Sequence, residues 1–378
     1  MTQDKHKGVK GHQRRQGMGR LRRANTQDAT RVQGLERLDE DSEVFDRLGT
    51  RSGSSHGGET LLARFNRVAR SPASAPGDPG EVTGFAGNQV LVRAADGTQI
   101  SCSVRQALKK QIKGVKNPLC VGDRVRYQAS DEGGAIAGIE PRRNQLERAD
   151  SHNRSLIHVF AANIDCLAIV ASLADPELKP ALIDRYLVIA AANDIPAAVV
   201  INKADLGEPS PILELYRGLG YATFSTAAAR GVGDPGTREL GLYLADKVCV
   251  VAGQSGVGKS SLINALFPDL GARVGVVADA GHGRHTTTSA RSYPLPGGGR
   301  LIDTPGVREC TITGLRPVDV ALLYRDLAAN HIRCRFRDCT HLHEPDCAVR
   351  AGVEAGTIAE SRYASYVDIV CEDLAQDG

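Results

Sequence analysis

The stretch GQSGVGKSSLINAL, Gly253 to Leu266, carries the spacing Gly-x4-Gly-Lys-Ser of a phosphate-binding loop. Its glycines let the backbone fold back so that N–H groups point at phosphate oxygens. The helix expected after it adds a positive N-terminal end. In such a loop Lys259 reaches the β- and γ-phosphates, and the Ser260 hydroxyl ligates Mg²⁺. The candidate phosphate-binding residues are Gly253, Gln254, Ser255, Gly256, Val257, Gly258, Lys259, Ser260 and Ser261.

A second set would read a base. In INKAD, Ile201 to Asp205, the Asp205 carboxylate can accept from both N1–H and the 2-amino group of guanine. Adenine offers no such pair. Asn202 would tie this loop to the phosphate loop and the base. The stem of Lys203 would cover the purine face, and Ala204 completes the loop. FSTAAA, Phe224 to Ala229, is a weaker candidate for a second guanine-contacting loop. An ATP-using enzyme is the competing reading, and it requires that Asp205 not read guanine.

Asp303-Thr304-Pro305-Gly306 is a DxxG sequence. The pattern occurs about once by chance in a chain of this length, so only its place after the strand GRLI gives it weight. It would set Asp303 near Mg²⁺ and the Gly306 N–H near the γ-phosphate. Before it lies GRHTTT, Gly283 to Thr288, where a switch loop belongs. Thr286 or Thr287 would ligate Mg²⁺, and the sequence does not choose between them. Val307 stands where Ras-like GTPases carry the glutamine that positions water. An apolar residue cannot do that, so intrinsic hydrolysis should be slow and need a partner. His285 is a candidate water-orienting group, with a packing role equally open.

Cys334-x4-Cys339-x-His341-x5-Cys347 places three sulfurs and an imidazole within fourteen residues. Zn²⁺ takes four such ligands tetrahedrally, and a closed set of four makes the site structural. His343 is the alternative imidazole, and a disulfide the alternative use of the thiols. Arg333, Arg335, Arg337 and Arg350 surround the cluster, as in an RNA-facing knuckle.

These loops need strands behind them. CLAIVASLA (Cys166 to Ala174), AAVVI (Ala197 to Ile201), KVCVVAG (Lys247 to Gly253) and GRLIDTPG (Gly299 to Gly306) read as buried strands. PALIDRYLVIAAAN, Pro180 to Asn193, sets Leu182, Ile183, Tyr186, Leu187 and Ala190 on one helical face. That is a strand–helix–strand unit of a parallel sheet, which binds ligands at the carboxyl ends of its strands. The base motif precedes the phosphate motif, the reverse of the usual order. In a sheet the pocket depends on which strands lie side by side, so the domain reads as a circularly permuted P-loop GTPase. Short alternating segments from Glu81, among them VGDRVRYQ (Val121 to Gln128), suggest a small barrel of the OB kind, with Lys109, Lys110, Lys113 and Lys116 in one loop. SRYASYVDIVCEDL, Ser361 to Leu374, predicts a last helix packed on the Cys/His region.

Composition bounds the rest. With 378 residues, two or three domains are expected. Residues 1–23 carry Lys5, Lys7, Lys10, Arg14, Arg15, Arg20, Arg22 and Arg23 against Asp4, a basic arm able to neutralise phosphates or merely solvated. SPASAPGDPGE, Ser71 to Glu81, reads as a linker behind one short helix near 59–69. No apolar run reaches membrane-spanning length and the N-terminus is charged, so a cytoplasmic chain with no signal peptide is expected. Trp is absent and aromatics are scarce, which argues against a large stacking surface for single strands.

INKAD, GQSGVGKSSLIN, GRHTTT, DTPGVRE and CRFRDCTHLHEPDCAV together resemble the ribosome small subunit-dependent GTPase family. Weaker similarity reaches back to CSVRQALKK and VGDRVRYQ. The resemblance implies an OB-fold over 81–145, a circularly permuted GTPase domain over 146–315 and a zinc-binding helical domain over 316–378; composition, not the resemblance, marks 1–80 as a disordered basic extension and linker. It implies GTP hydrolysis to GDP stimulated by the small (30S) subunit, late in that subunit's maturation, with rRNA binding. It favours His341 over His343 as the fourth zinc ligand. Mg²⁺ and one structural Zn²⁺ are the implied cofactors; a monomer is expected. A binding module in which GTP only fixes the domain arrangement is the alternative. Cys310 departs from the Phe usual in the family, and the first eighty residues match nothing in it.

Overall fold

The computed structural model describes residues 66, 76–105, 118–130, 133–149, 157–268, 290–303 and 315–376. His285, Thr286, Thr287, Gly306, Val307, Cys310 and the four barrel-loop lysines lie outside the described residues, as does nearly all of the N-terminal extension.

The alternating segments form five strands: β1 (Asp78–Ala86), β2 (Gln89–Ala94), β3 (Gln99–Val104), β4 (Arg124–Ser130) and β5 (Gly133–Ile139). They close into a barrel in the order β1-β2-β3-β5-β4, antiparallel except for β3 with β5. Val82, Val90, Val92, Val125 and Ile136 fill it, every second residue along the strands turning inward. Asn66 is helical, and its side-chain amide clamps the barrel's exit. Its Oδ1 accepts from Arg142 N at 2.7 Å and its Nδ2 donates to Arg142 O at 2.8 Å. The Arg142 guanidinium is itself buried in a paired contact with Asp123, 2.7 Å from Nε to Oδ1.

After the hairpin β6 (Gln145–Ala149) and β7 (Ile157–Ala162), the chain builds a six-stranded sheet. Its strands are β8 (Cys166–Ser172), β9 (Ala197–Asn202), β10 (Ala222–Ser225), β11 (Val248–Ala252), β12 (Arg291–Pro294) and β13 (Arg300–Asp303), in the order β10-β9-β8-β11-β13-β12. All pairings are parallel except β12 with β13. Helices α1 (Pro180–Ala192), α2 (Ser210–Gly218), α3 (Pro235–Leu244) and α4 (Lys259–Leu266) accompany these strands. Leu167, Ile169, Val199, Ile201 and Val250 meet α1 on one face; Ala168, Val170, Val200 and Cys249 meet α3 and α4 on the other. A sheet covered on both faces explains the unbroken apolar runs of its strands.

The barrel rests on the edge of this sheet. Glu81 of β1 pairs with the buried Arg300 of β13 at 3.2 Å. Beyond the sheet come α5 (Pro317–Leu322), α6 (Arg325–His331), α7 (Ala348–Glu354) and α8 (Glu360–Gln376). Tyr366, Ile369 and Val370 of α8 pack on Val188 of α1 and on Tyr324, Leu327 and Val349. The expected apolar face of α1 is present, but the helix also buries its opposite side. There Asp184 accepts from Arg362 Nη1 and from Tyr216 Oη (2.7 Å), while Arg362 grips Asp326 at 2.9 and 3.0 Å.

Candidate functional site

Parallel strands bring their carboxyl ends to one rim, so the loops after β8, β9, β10, β11 and β13 share it. The loop after β11 is the Gly253–Ser260 segment. Gly253 has φ +142°, and a Cβ there would lie 2.1 Å from the Val170 carbonyl oxygen of the neighbouring strand. Gly258 has φ +88°, and a Cβ would lie 2.5 Å from Asn202 Nδ2. Glycine is therefore needed at 253 by β8 and at 258 by the base loop. The positive φ at Gly256 and Gly258 gives the backbone turn of an anion-binding nest ahead of α4, which suits phosphate. Lys259 Nζ donates to the carbonyls of Gly253 (2.8 Å) and Gln254 (2.6 Å), so the ammonium lies over the loop. Val257 is buried, whereas Ser255, Gly256, Ser260 and Ser261 are open to solvent.

Asn202 joins three loops. Its buried Nδ2 donates to Val257 O at 2.9 Å. Its Oδ1 accepts from Thr226 Oγ1 and from the Ala228 N–H, each at 3.1 Å. The FSTAAA loop is thus fixed beside the base motif, and Asp234 steadies it further by accepting from Ala227 N. Lys203 takes a left-handed φ of +58° and its ammonium donates to the Asp175 carbonyl. Ala204 and Asp205 begin a short 3-10 turn, Ala204–Leu206, with Asp205 exposed. Asp303 ends β13, exposed, two strands from β8 and next to β11.

A second cluster lies in the C-terminal region. One ligand atom each from Cys334, Cys339, His341 and Cys347 falls within 4.8 Å of all the others. Three of the four residues are buried, and the cysteines are free thiols rather than a disulfide. His341 aims Nδ1 at the sulfurs, 3.3 Å from Cys347 and 3.7 Å from Cys334, while His343 is exposed. Burial, reinforced by His331, lowers the His341 pKa to about 4, so the imidazole is neutral, as a ligand must be. Burial raises the Cys339 and Cys347 thiols. Such a donor set ionises together only around a cation, and three sulfurs with one nitrogen in a tetrahedral-sized cluster suit Zn²⁺.

The sequence model of the RsgA GTPase family matches residues 139–313. The chain is 41% identical over 287 residues to the small ribosomal subunit biogenesis GTPase RsgA of Actinobacillus pleuropneumoniae, covering 73% of this chain and 79% of that one. It is 38% identical over 305 residues to the protein of that name from Porphyromonas gingivalis, covering 77% and 95%. The chain belongs to the RsgA GTPase family.

Two solved structures agree in shape. YjeQ from Thermotoga maritima aligns with a TM-score of 0.63 at 34% identity over 79% of this chain and 98% of its own. YloQ, described as a circularly permuted GTPase, aligns with a TM-score of 0.63 at 29% identity over 79% and 96%. Membership of the RsgA GTPase family makes the protein a GTP-hydrolysing enzyme with a permuted motif order. A GTPase of this kind binds GTP or GDP with Mg²⁺. Among the described residues, no helix is long and apolar enough to cross a membrane.

Several working residues of this RsgA-family chain escape a motif scan. Asp175 and Asp234 hold the base-side loops, yet carry no spacing signature. His331 is another. Its Nδ1 lies 3.0 Å from His341 Nε2 and its Nε2 lies 3.1 Å from the Arg337 carbonyl oxygen. With His341 Nδ1 facing the sulfurs, its Nε2–H donates to His331, whose own Nε2–H donates to Arg337. This relay fixes the ligand's tautomer and ring plane. Replacing His331 with alanine is expected to weaken metal affinity about ten- to a hundredfold. Competition with a chromophoric chelator measures this; unchanged affinity would remove His331 from the site.

Proposed function

We propose that this enzyme uses GTP hydrolysis to time its departure from the small ribosomal subunit during that subunit's maturation, binding rRNA while it is there. It acts as a cytoplasmic monomer. Three working parts are read from the chain: a barrel of the OB kind over 81–145, the GTPase domain over 146–315 and a zinc-binding domain over 316–378, with residues 1–80 as a basic extension.

Within the pocket, Asp205 accepts from the guanine N1–H and 2-amino group, Asn202 and Ala204 hold that loop, and the Lys203 stem covers the base. The backbone of Gly253 to Gly258 and the Lys259 ammonium take the phosphates, beside Ser260 and Ser261. Ser260, Asp303 and one of Thr286 and Thr287 hold Mg²⁺, which neutralises charge on the phosphate oxygens. Gly306 meets the γ-phosphate, and His285 orients water. Cys334, Cys339, His341 and Cys347 hold one structural Zn²⁺.

The single observation that carries the nucleotide reading is the Asn202 side chain, which binds the phosphate loop and both base loops at once. It supports the view that the reshuffled motifs still share one pocket. The names of the relatives support the ribosomal part.

The test is GTP turnover with and without purified small subunits, together with Asp205→Asn. Subunits should raise the rate at least tenfold, because the intrinsic machinery lacks a glutamine after DTPG. The Asp205→Asn enzyme should prefer xanthosine over guanosine triphosphate, since the asparagine amide donates where the carboxylate accepted. A rate indifferent to subunits would favour a binding module instead; a retained guanine preference would remove Asp205 from the base.

A further inference from the structure

Aromatic side chains are few in this protein, and Trp is absent. Among the described residues the large aromatic left exposed is Phe336, at 39%. It stands in a run of alternating arginines, Arg333, Arg335 and Arg337, all exposed. Ile332 is exposed at the same loop. An apolar ring costs free energy in water, and three guanidiniums in five residues repel one another. Neither helps this small region fold.

The loop is nevertheless held firmly. Cys334 and Cys339, two of the metal-ligand candidates, bracket Phe336. Backbone bonds run from Arg333 N to Asn330 O (3.0 Å), from Cys334 N to His331 O (3.0 Å) and from Cys339 N to Phe336 O (3.3 Å). His331 Nε2 holds the Arg337 carbonyl at 3.1 Å. The Arg335 guanidinium sits 5.5 Å from the centre of the Phe336 ring and is anchored at 3.0 Å by Asp346. Asp338 follows the run and is also exposed, but Arg333 and Arg337 make no ion pair among the described residues. A rigid surface presents one π-face flanked by two uncommitted cations.

We infer that this loop is a stacking site for one unpaired RNA base, with Phe336 as the platform and Arg333 and Arg337 on the flanking phosphates. An RNA single strand supplies a flat base and a phosphate at each nucleotide, which matches alternating aromatic and guanidinium groups. A duplex keeps its bases stacked inside, and an acidic peptide offers charge without a planar face. Fixing the loop in advance lowers the ordering cost of binding. The inference rests on the reading of the protein as an rRNA-binding subunit factor and names the RNA feature its C-terminal region grips.

The test uses the full chain. Phe336→Ala should weaken binding of a labelled oligouridylate by roughly tenfold, the loss of one stacked base. Metal content and RNA-free GTP turnover should be unchanged. Phe336→Trp creates the chain's sole tryptophan, so its fluorescence reports this position alone. It should be quenched saturably by oligouridylate, and by neither duplex RNA nor polyglutamate. Unchanged affinity in Phe336→Ala, or a tryptophan untouched by oligouridylate, overturns the inference. Equal quenching by polyglutamate overturns it in favour of an acidic protein partner. Cosedimentation separates the two levels. If the wild-type chain pellets with small subunits while the tryptophan stays unquenched, only the stacking site falls. If the wild-type chain fails to pellet with them, the subunit reading falls.

Discussion

Replacing Asn202 with alanine is expected to weaken GTP binding by about a hundredfold, because three hydrogen bonds between loops vanish together. The substitution strands the Val257 carbonyl, the Thr226 hydroxyl and the Ala228 N–H, all previously served by one amide. A buried polar group left unpaired costs about 1–3 kcal/mol. Some relaxation and water entry reduce that sum, which leaves about 3 kcal/mol in affinity. The strands themselves keep their partners, so the circular dichroism spectrum should not change. Asn202→Asp is the informative companion. It keeps acceptors for Thr226 and Ala228 but turns a carboxylate toward the Val257 carbonyl, so it should also fail. Titration calorimetry with GDP and a non-hydrolysable GTP analogue measures both. Wild-type affinity in the alanine variant would mean that the phosphate and base loops are held together by something else.

The second large effect is expected at Arg362. Its guanidinium is buried between Asp184 of α1 and Asp326 of α6 and lies 4.5 Å from the Tyr324 ring centre. Burial opposes its charge, but the carboxylates of Asp326 and Asp184 outweigh burial and raise its pKa. Burial raises the Asp184 carboxyl, with Arg362 and Tyr216 pulling it down. Arg362→Ala leaves two buried carboxylates uncompensated and should cost about 3–5 kcal/mol. The sign of the pH dependence follows. Without Arg362, burial raises the Asp184 pKa further above its unfolded value. A carboxyl so raised favours the fold below its unfolded pKa, and that help is lost as pH rises through the folded one. The variant's deficit should therefore be smaller in acid than at neutral pH. Urea unfolding at several pH values, with metal release followed in parallel, checks this. A deficit independent of pH would show that Asp184 is not the stranded group.

The same residue bears on how the parts communicate. α8 carries Arg362, and also Tyr363 and Tyr366, which donate to the His341 and Thr340 carbonyls in the Cys/His cluster. α1 carries Asp184 and follows the segment whose Asp175 carbonyl accepts from Lys203. This one buried cation thus joins α8 to α1 and α6. Loosening it should disturb the C-terminal helices before the sheet.

How far the chain could be read without coordinates differs by region. The strand segments were legible because a parallel sheet covered on both faces demands unbroken apolar runs. The Gly253–Ser260 loop was legible because its spacing is one contiguous pattern, although it is β8 and Asn202 that demand glycine at 253 and 258. The helix from Pro180 was placed correctly, but the reading of its apolar face did not include Asp184, which the structure buries. A helix apolar almost all round is buried on two sides, and that was the available signal. Asp326 and Arg362 gave none, since a charged residue in a polar helix face is ordinary until a partner is known.

What the order of residues determined alone is local: which backbone turns glycine permits, which segments must be buried, and which donor atoms lie close enough along the chain to share one ion. Cys334 to Cys347 is such a case, and there the tertiary structure adds that the thiols are free and that His341, not the exposed His343, faces the sulfurs. Folding alone decided the contacts between distant segments. Asn202 meets Val257 across 55 residues, and Arg362 meets Asp184 across 178. The reason is that hydrogen bonds and ion pairs act over a few ångströms, while the sheet order that supplies those ångströms belongs to no single stretch of sequence.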